Sequence, residues 1–272
     1  MGRIYASVLG AAILCAAVRS NAQGGTGFEV ASVARNVSGE AGAALDMSRG
    51  QMRATNLSVR VLIRQAFDVM DSQIVDAPSW VTDERYDVVA KAPEGIVTGG
   101  AMRPLLRTLL IERFKLATHT ETREMPVFGL IRPASSGRNA PGLREASRDC
   151  ATAPLPADAA PANPADDWPM CSVTFRPGLL YVGGYRMSVV TRQLATLAGR
   201  PILDETKITA PVQVRLEYQQ TGRGASPSSP DPANDRPDFF AALEEQAGLK
   251  LVSKRAPIEV LVIDSAQRPS VN

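Results

Sequence analysis

The chain carries one building plan twice. Gly50-Gln51-Met52-Arg53-Ala54 leads into Leu57-Ser58-Val59, then Ile74-Val75-Asp76, then Tyr86-Asp87-Val88-Val89. Further on, Gly178-Leu179-Leu180-Tyr181 leads into Met187-Ser188-Val189, then Ile202-Leu203-Asp204, then Val212-Gln213-Val214-Arg215. The second parts also match. Leu105-Leu106-Arg107-Thr108-Leu109 runs on to Lys115-Leu116 and Met125-Pro126-Val127-Phe128, and its counterpart is Phe239-Phe240-Ala241-Ala242-Leu243, then Lys250-Leu251 and Ala256-Pro257-Ile258-Glu259-Val260. A repeat of this kind constrains architecture and leaves chemistry open.

Periodicity fills in the plan. Phe28 to Val33 alternates as an opening strand, and Gln51 to Asn56 as a second. Ser58 is placed to cap a helix, with Leu57 stapling onto Leu62. Val59, Leu62, Ile63, Ala66 and Phe67 then share one helical face. Pro78 breaks the pattern beside Trp80, and Arg85 to Ala92 returns as a strand. Met102, Leu106, Leu109 and Leu110 stripe a second helix, and Phe114 to Thr120 with Pro126 to Ile131 reads as a closing hairpin. In the second half Ser188 is the matching cap, and Val190, Leu194, Leu197 and Ala198 form the face that ends at Gly199. Pro211 precedes the strand Val212 to Tyr218. Asp238 caps a last helix that stops at Gly248, and Leu249 to Val252 with Ile258 to Ile263 makes a final hairpin.

The expected fold is therefore α+β, in two tandem divergent repeats. Each is a small sheet with two helices, in the order strand-helix-strand-strand-helix-hairpin. The first module spans 23–132 and the second 170–272. Between them, 133–169 is rich in Pro and Ala and reads as a linker. A second aperiodic stretch, 219–237, is rich in Pro, Ser and Gly and reads as a flexible insertion.

The beginning of the chain points to a compartment. Arg3 precedes an apolar run from Ile4 to Val18, and Ser20-Asn21-Ala22 fits a small-x-small cleavage site before Gln23. The run is shorter than the roughly 20 residues of a spanning helix. A signal peptide over 1–22 and a periplasmic or secreted mature protein follow; an uncleaved anchor is the competing reading. Loss of Arg3 and Arg19 brings the 30 basic side chains level with the 28 acidic ones. Such a balance argues against electrostatic nucleic-acid binding, and no later stretch is apolar enough to span a membrane. Cys150 and Cys171 remain, and in an oxidising compartment an even pair reads as a disulfide.

The supply of catalytic side chains is thin. His119 is the sole histidine, in Lys115-Leu116-Ala117-Thr118-His119-Thr120-Glu121-Thr122-Arg123-Glu124. With Glu121 and Glu124 it is the candidate set for a carboxylate–histidine enzyme, against the plainer reading of an exposed polar strand. A zinc site needs more ligands than this segment supplies. There is no G-x-S-x-G elbow, no P-loop and no dinucleotide fingerprint. Gly183-Gly184 reads as a strand-to-helix turn. Asp166-Asp167-Trp168 reads as solvated acids in a linker. Asp76 and Asp204 occupy matching positions in the repeat and read as turn or helix-terminus residues.

Several runs carry a resemblance. They are Ala54-Thr55-Asn56-Leu57-Ser58, Pro78-Ser79-Trp80, Arg85-Tyr86-Asp87-Val88-Val89-Ala90-Lys91-Ala92 and Arg113-Phe114-Lys115-Leu116 with His119 and Glu121. Arg123-Glu124-Met125-Pro126-Val127, Gly199-Arg200-Pro201-Ile202-Leu203-Asp204 and Pro257-Ile258-Glu259-Val260-Leu261-Val262-Ile263-Asp264 belong with them. Together they resemble a large acidobacterial, soil-associated secreted family, the domain of unknown function 3738. The resemblance covers nearly the whole mature chain and brings no catalytic residues with it. It also relates the domain to BlaR-type membrane metallopeptidase sensors, but the H-E-x-x-H of such a peptidase is missing here. In pattern alone, each half is similar to the short N-terminal domain of secretins and TonB receptors, which implies contacts with other envelope proteins.

The functional expectation is an exported, non-catalytic interaction or sensing module without cofactor or metal, bound to a protein of the cell envelope. The rivals are a secreted hydrolase using His119 with Glu121 or Glu124, and small-ligand binding between the two modules.

Overall fold

A computed structural model describes residues 27–133, 140–153, 168–219 and 236–270. The expected signal, most of the insertion and part of the linker lie outside the described residues. Within them the chain is a mixed α+β protein with five helices and three four-stranded sheets.

The first sheet joins β1 (Val30–Arg35), β2 (Ala44–Ser48), β3 (Gln51–Ser58) and β5 (Arg85–Lys91), antiparallel, in the order β1-β5-β3-β2. Alternation drives β3: Met52 and Ala54 are buried between exposed Gln51, Arg53 and Thr55. At Asn56 the register shifts, and its φ of 53° lies in the left-handed region that Asn tolerates. Asp87 accepts the Asn56 backbone N–H at 2.8 Å, so the bulge leaves no orphan donor. The shift turns both Leu57 and Ser58 inward. Helix α1 (Val59–Phe67) follows and buries Val59, Leu62, Ile63 and Ala66. It packs on α3 (Gly99–Phe114), which buries Met102, Leu106, Leu109, Leu110 and Phe114. The short α2 (Ser79–Asp83) sits between them in sequence.

The second outer sheet joins β7 (Leu143–Glu145), β8 (Ser172–Arg176), β9 (Leu179–Tyr185) and β11 (Val212–Glu217), in the order β7-β11-β9-β8. Helices α4 (Met187–Ala198) and α5 (Phe239–Ala247) close its core over Leu180, Val182, Val214 and Leu216. Asp238 caps α5 as expected, accepting from Ala241 N at 2.9 Å. Gly199 and Gly248 end α4 and α5 at φ 67° and 63°. The other two caps differ from expectation. Ser58 stands at the N-cap of α1 but makes no capping bond with its side chain. Ser188 falls inside the first turn of α4, whose N-cap is Arg186, because β9 continues to Tyr185.

The two closing hairpins do not form. Ala117–Ile131 is one continuous strand, β6, and Lys250–Ser265 is another, β12. They pair with each other, antiparallel, from Lys250↔Ile131 to Ser265↔Ala117. Neither strand has a Gly, Asn or Asp near its middle to take the positive φ of a tight turn, so the chain runs straight on. The short β4 (Ile74–Val75) joins β12 in parallel, and β10 (Ile202–Asp204) joins β6 in parallel, giving the order β10-β6-β12-β4.

This ribbon ties the halves together. Leu116, just before β6, lies in the core of α1 and α3, while Leu130 at the far end lies in that of α4 and α5. Strand β12 runs the opposite way. Leu249 before its start is in the second core, and Leu261 and Ile263 near its end are in the first.

Part of the expected linker is also built into the fold. Residues 140–153 contain β7, which pairs with β11, and Cys150, which is bonded to Cys171. The bonded segments lie over the outer face of the second sheet. Tyr181 donates its hydroxyl to Pro169 O at 2.6 Å, and Gln213 Nε2 donates to Trp168 O at 2.9 Å and to the Tyr181 oxygen at 3.0 Å. Gly183-Gly184 belongs to β9 and is not a turn. A Cβ on Gly183 would run into Pro169 O and the Tyr181 hydroxyl, and one on Gly184 would lie 2.6 Å from Cys150 Sγ. The glycines therefore admit the disulfide-bearing segment against the sheet.

Candidate functional site

Strand alternation separates the three candidates of the sequence. His119, Glu121 and Arg123 share one face of β6, and Glu124 falls on the other. His119 Nδ1 lies 2.8 Å from Asp264 Oδ1, and its Nε2 lies 3.8 Å from Glu121. Glu121 is bound by the Arg123 guanidinium, which also reaches Asp76 at 2.8 Å. Those two hydrogen bonds, Asp76 first and Glu121 second, raise the already high Arg123 pKa. The Asp76 backbone has φ 58°, in a turn directly after β4, so it belongs to a strand-end turn as expected. Asp204 likewise closes a turn, accepting from Thr206 N at 3.0 Å.

The His119 set is a solvated cross-strand network. The side chains of His119, Glu121, Asp76 and Asp264 are 51%, 39%, 58% and 45% exposed. Water screens charges at that exposure. Sequence reading missed Asp264 as a partner of His119, although both stand in the runs that carry the family resemblance. Among the described residues, no group of three or more His, Cys, Asp or Glu side chains could hold a metal ion. No helix among them is long and apolar enough to cross a membrane.

A more shielded charge network lies around Glu84. Glu84, with its side chain 12% exposed, binds Arg268 at 2.8 Å and Arg35 at 3.5 Å and accepts the Tyr86 hydroxyl at 2.9 Å. The bond from Arg268 leads in holding the Glu84 carboxyl below its ordinary pKa. Burial, then the bond to Glu84, pushes the Tyr86 phenol from 10.0 to about 12. Arg268 also lies over the Trp80 ring at 5.2 Å. An unfolded chain releases the phenol proton near 10, whereas the folded one keeps it to about 12. The folded state therefore binds more protons in that window, and stability falls as pH rises through it. Urea unfolding between pH 9 and 11.5 is expected to show this decline, and Tyr86→Phe to flatten it. An unchanged slope in Tyr86→Phe would refute the assignment.

A groove runs between the halves, with a volume of about 580 Å³. Asp68, Ser72 and Gln73 line one side, and Thr191, Arg192 and Thr196 the other. Asp68 bridges it by pairing with Arg103 at 2.8 Å and Arg192 at 3.4 Å. Among the described residues, Ser72 Oγ is buried without a hydrogen-bond partner. Of the pair Asp166-Asp167 nothing is described, but Trp168 lies under the Arg144 guanidinium at 3.8 Å.

Comparison with known families gives a match over most of the chain. The model of the family described as "Protein of unknown function (DUF3738)" covers residues 60–266. No curated protein and no solved structure gives a significant match.

Proposed function

We propose that the chain, which belongs to the DUF3738 family, is a non-catalytic interaction module exported to the bacterial cell envelope, where it holds a protein partner by strand addition. The edge of β8, unpaired among the described residues, carries this reading. Val173 and Phe175 pair with Val182 and Leu180 of β9 and face the same side. Yet they remain 42% and 49% exposed. Unpaired backbone beside apolar side chains is the template that strand-adding partners use.

The disulfide supports export, because such bonds persist in oxidising compartments. The signal-like beginning of the sequence agrees with it, as does the acidobacterial secreted family it resembles. The strand orders β1-β5-β3-β2 and β7-β11-β9-β8 support two divergent copies of one unit. On this reading β7 takes the place of β1, so the second copy starts upstream of residue 170, and the copies exchange the ends of their last strands. The likeness to secretin and TonB-receptor domains loses its closing hairpins here, and the proposal does not rest on it.

Mature protein used as bait in envelope extracts is expected to retain a partner. Val173→Lys with Phe175→Lys should weaken that capture at least tenfold without unfolding the chain. His119→Ala, Glu121→Ala and Glu124→Ala should leave both fold and capture intact. A turnover activity abolished by any of those three would replace this reading with the carboxylate–histidine hydrolase. The inter-half groove favours a second reading, in which a small ligand satisfies Ser72 Oγ and bridges the two walls.

A further inference from the structure

We propose that the pocket bounded by Arg132 and Lys207 binds a small amphiphilic anion, with its carboxylate or phosphate on these cations and its apolar body against Leu143, Ile208 and Val212. The pocket has a volume of about 730 Å³, within the range of small-molecule sites. Glu145 is its one acidic wall residue. Arg144 is turned to the outer face of the sheet, where it stacks on Trp168 at 3.8 Å and donates to Gln213 at 3.2 Å. Among the described residues, Arg132 and Lys207 have no acidic partner.

Lys207 is presented by a fixed turn. Its φ is 63°, an uncommon conformation outside glycine. Asp204 accepts from Thr206 Oγ1 at 2.7 Å, and Thr206 Oγ1 accepts from Ile208 N at 3.2 Å. These bonds brace the turn on both sides of Lys207.

The first half shows what this place looks like when it is closed; the comparison rests on the correspondence of the halves proposed above. Tyr86 faces Leu57, two residues before α1 begins, and Val212 faces Tyr185, two residues before α4 begins. Two residues before Tyr86 stands Glu84, which neutralises Arg35 and Arg268 beside Trp80. Two residues before Val212 stands Ala210, which lines the pocket. Arg132 directly follows the end of β6, whereas Arg268 stands three residues past the end of β12. The second half thus has Ala210 where the first has the carboxylate of Glu84, and Glu145, which pairs with Val212, where the first has Arg35, which pairs with Tyr86. A ligand oxyanion would make charge-assisted bonds to Arg132 and Lys207.

The test is calorimetric titration of the full mature chain with sodium decanoate below its micellar concentration. Inorganic phosphate and decyltrimethylammonium serve as probes of head and tail alone. Decanoate should bind saturably at one site, phosphate at least tenfold more weakly, and the cationic amphiphile not at all. Arg132→Gln with Lys207→Gln should weaken decanoate at least tenfold. Ala210→Glu, which restores the acid of the first half, should do the same with an unchanged circular-dichroism spectrum. If Ala210→Glu does not fold, the double Gln variant at exposed positions decides. Val173→Lys with Phe175→Lys should leave decanoate affinity unchanged, which separates this site from partner capture. No saturable decanoate binding, equal affinity in the double Gln variant, or phosphate binding as tight as decanoate would each overturn the proposal.

Discussion

Replacing Leu62 or Leu194 by aspartate is expected to unfold both halves of the molecule together. Each leucine is 0% exposed, one in each core. An unpaired carboxylate there costs several kcal/mol, out of a total stability on the order of 5–15 kcal/mol. Tandem units on a linker would confine that loss to one unit. Here β6 and β12 pair along their length, and each ends in the core opposite to the one it starts from. Losing the first core frees the start of β6 and the end of β12, and the register that anchors the second core goes with them. Trp80 in α2 and Trp168 beside the second sheet report on the two halves separately. Single-tryptophan chains, made with Trp168→Phe or Trp80→Phe, should give coincident denaturation curves, with and without the aspartate. A native transition surviving at one tryptophan, after aspartate enters the other half, would refute the coupling.

Much of the local structure was legible because it is written in short periods. The faces of α1 and α4, the Asp238 cap and the glycines at 199 and 248 depend on residues a few positions apart. The pairing of Cys150 with Cys171 followed from the number of cysteines and the compartment. What escaped was pairing at long range. Alternation over 117–131 and 250–265 marks strands and their faces, but it does not say which strand lies alongside. The lack of a turn former after Thr120 and after Val252 was the available clue. Strand β7 is three residues long, too short to show a period inside a Pro/Ala-rich stretch. For the candidate site, alternation already divides Glu124 from Glu121. Asp264 meets His119 across 145 residues only because of the β6–β12 register.

Removing the disulfide with Cys150→Ser and Cys171→Ser is expected to cost about 3 kcal/mol for a loop of about 20 residues, in the chain-entropy account. A bond that merely tethered a linker would leave the sheet beneath it unchanged. Cys150 is 6% exposed, and its backbone N–H donates to Gly184 O at 2.7 Å. The bonded segments also supply the acceptors of Tyr181 and Gln213, the latter 5% exposed. Freeing them exposes one face of β9 and leaves buried donors to find water. The loss should therefore appear in urea midpoints and, at the same time, in a change of Trp168 emission. Gly184→Ala tests the same contact with both cysteines in place. Its φ is +80°, and the added carbon would lie 2.6 Å from both Cys150 Sγ and Met170 Sδ. That substitution should cost about 1–3 kcal/mol through strain and overpacking. Stability within about 0.5 kcal/mol of the parent in both variants, the usual scale of a surface change, would mean that the segment lies loosely on the sheet. The thiols should resist alkylation until a reductant is added. Once reduced, their reactivity should rise with the same loss of Trp168 packing, because opening the bond and lifting the segment are one event.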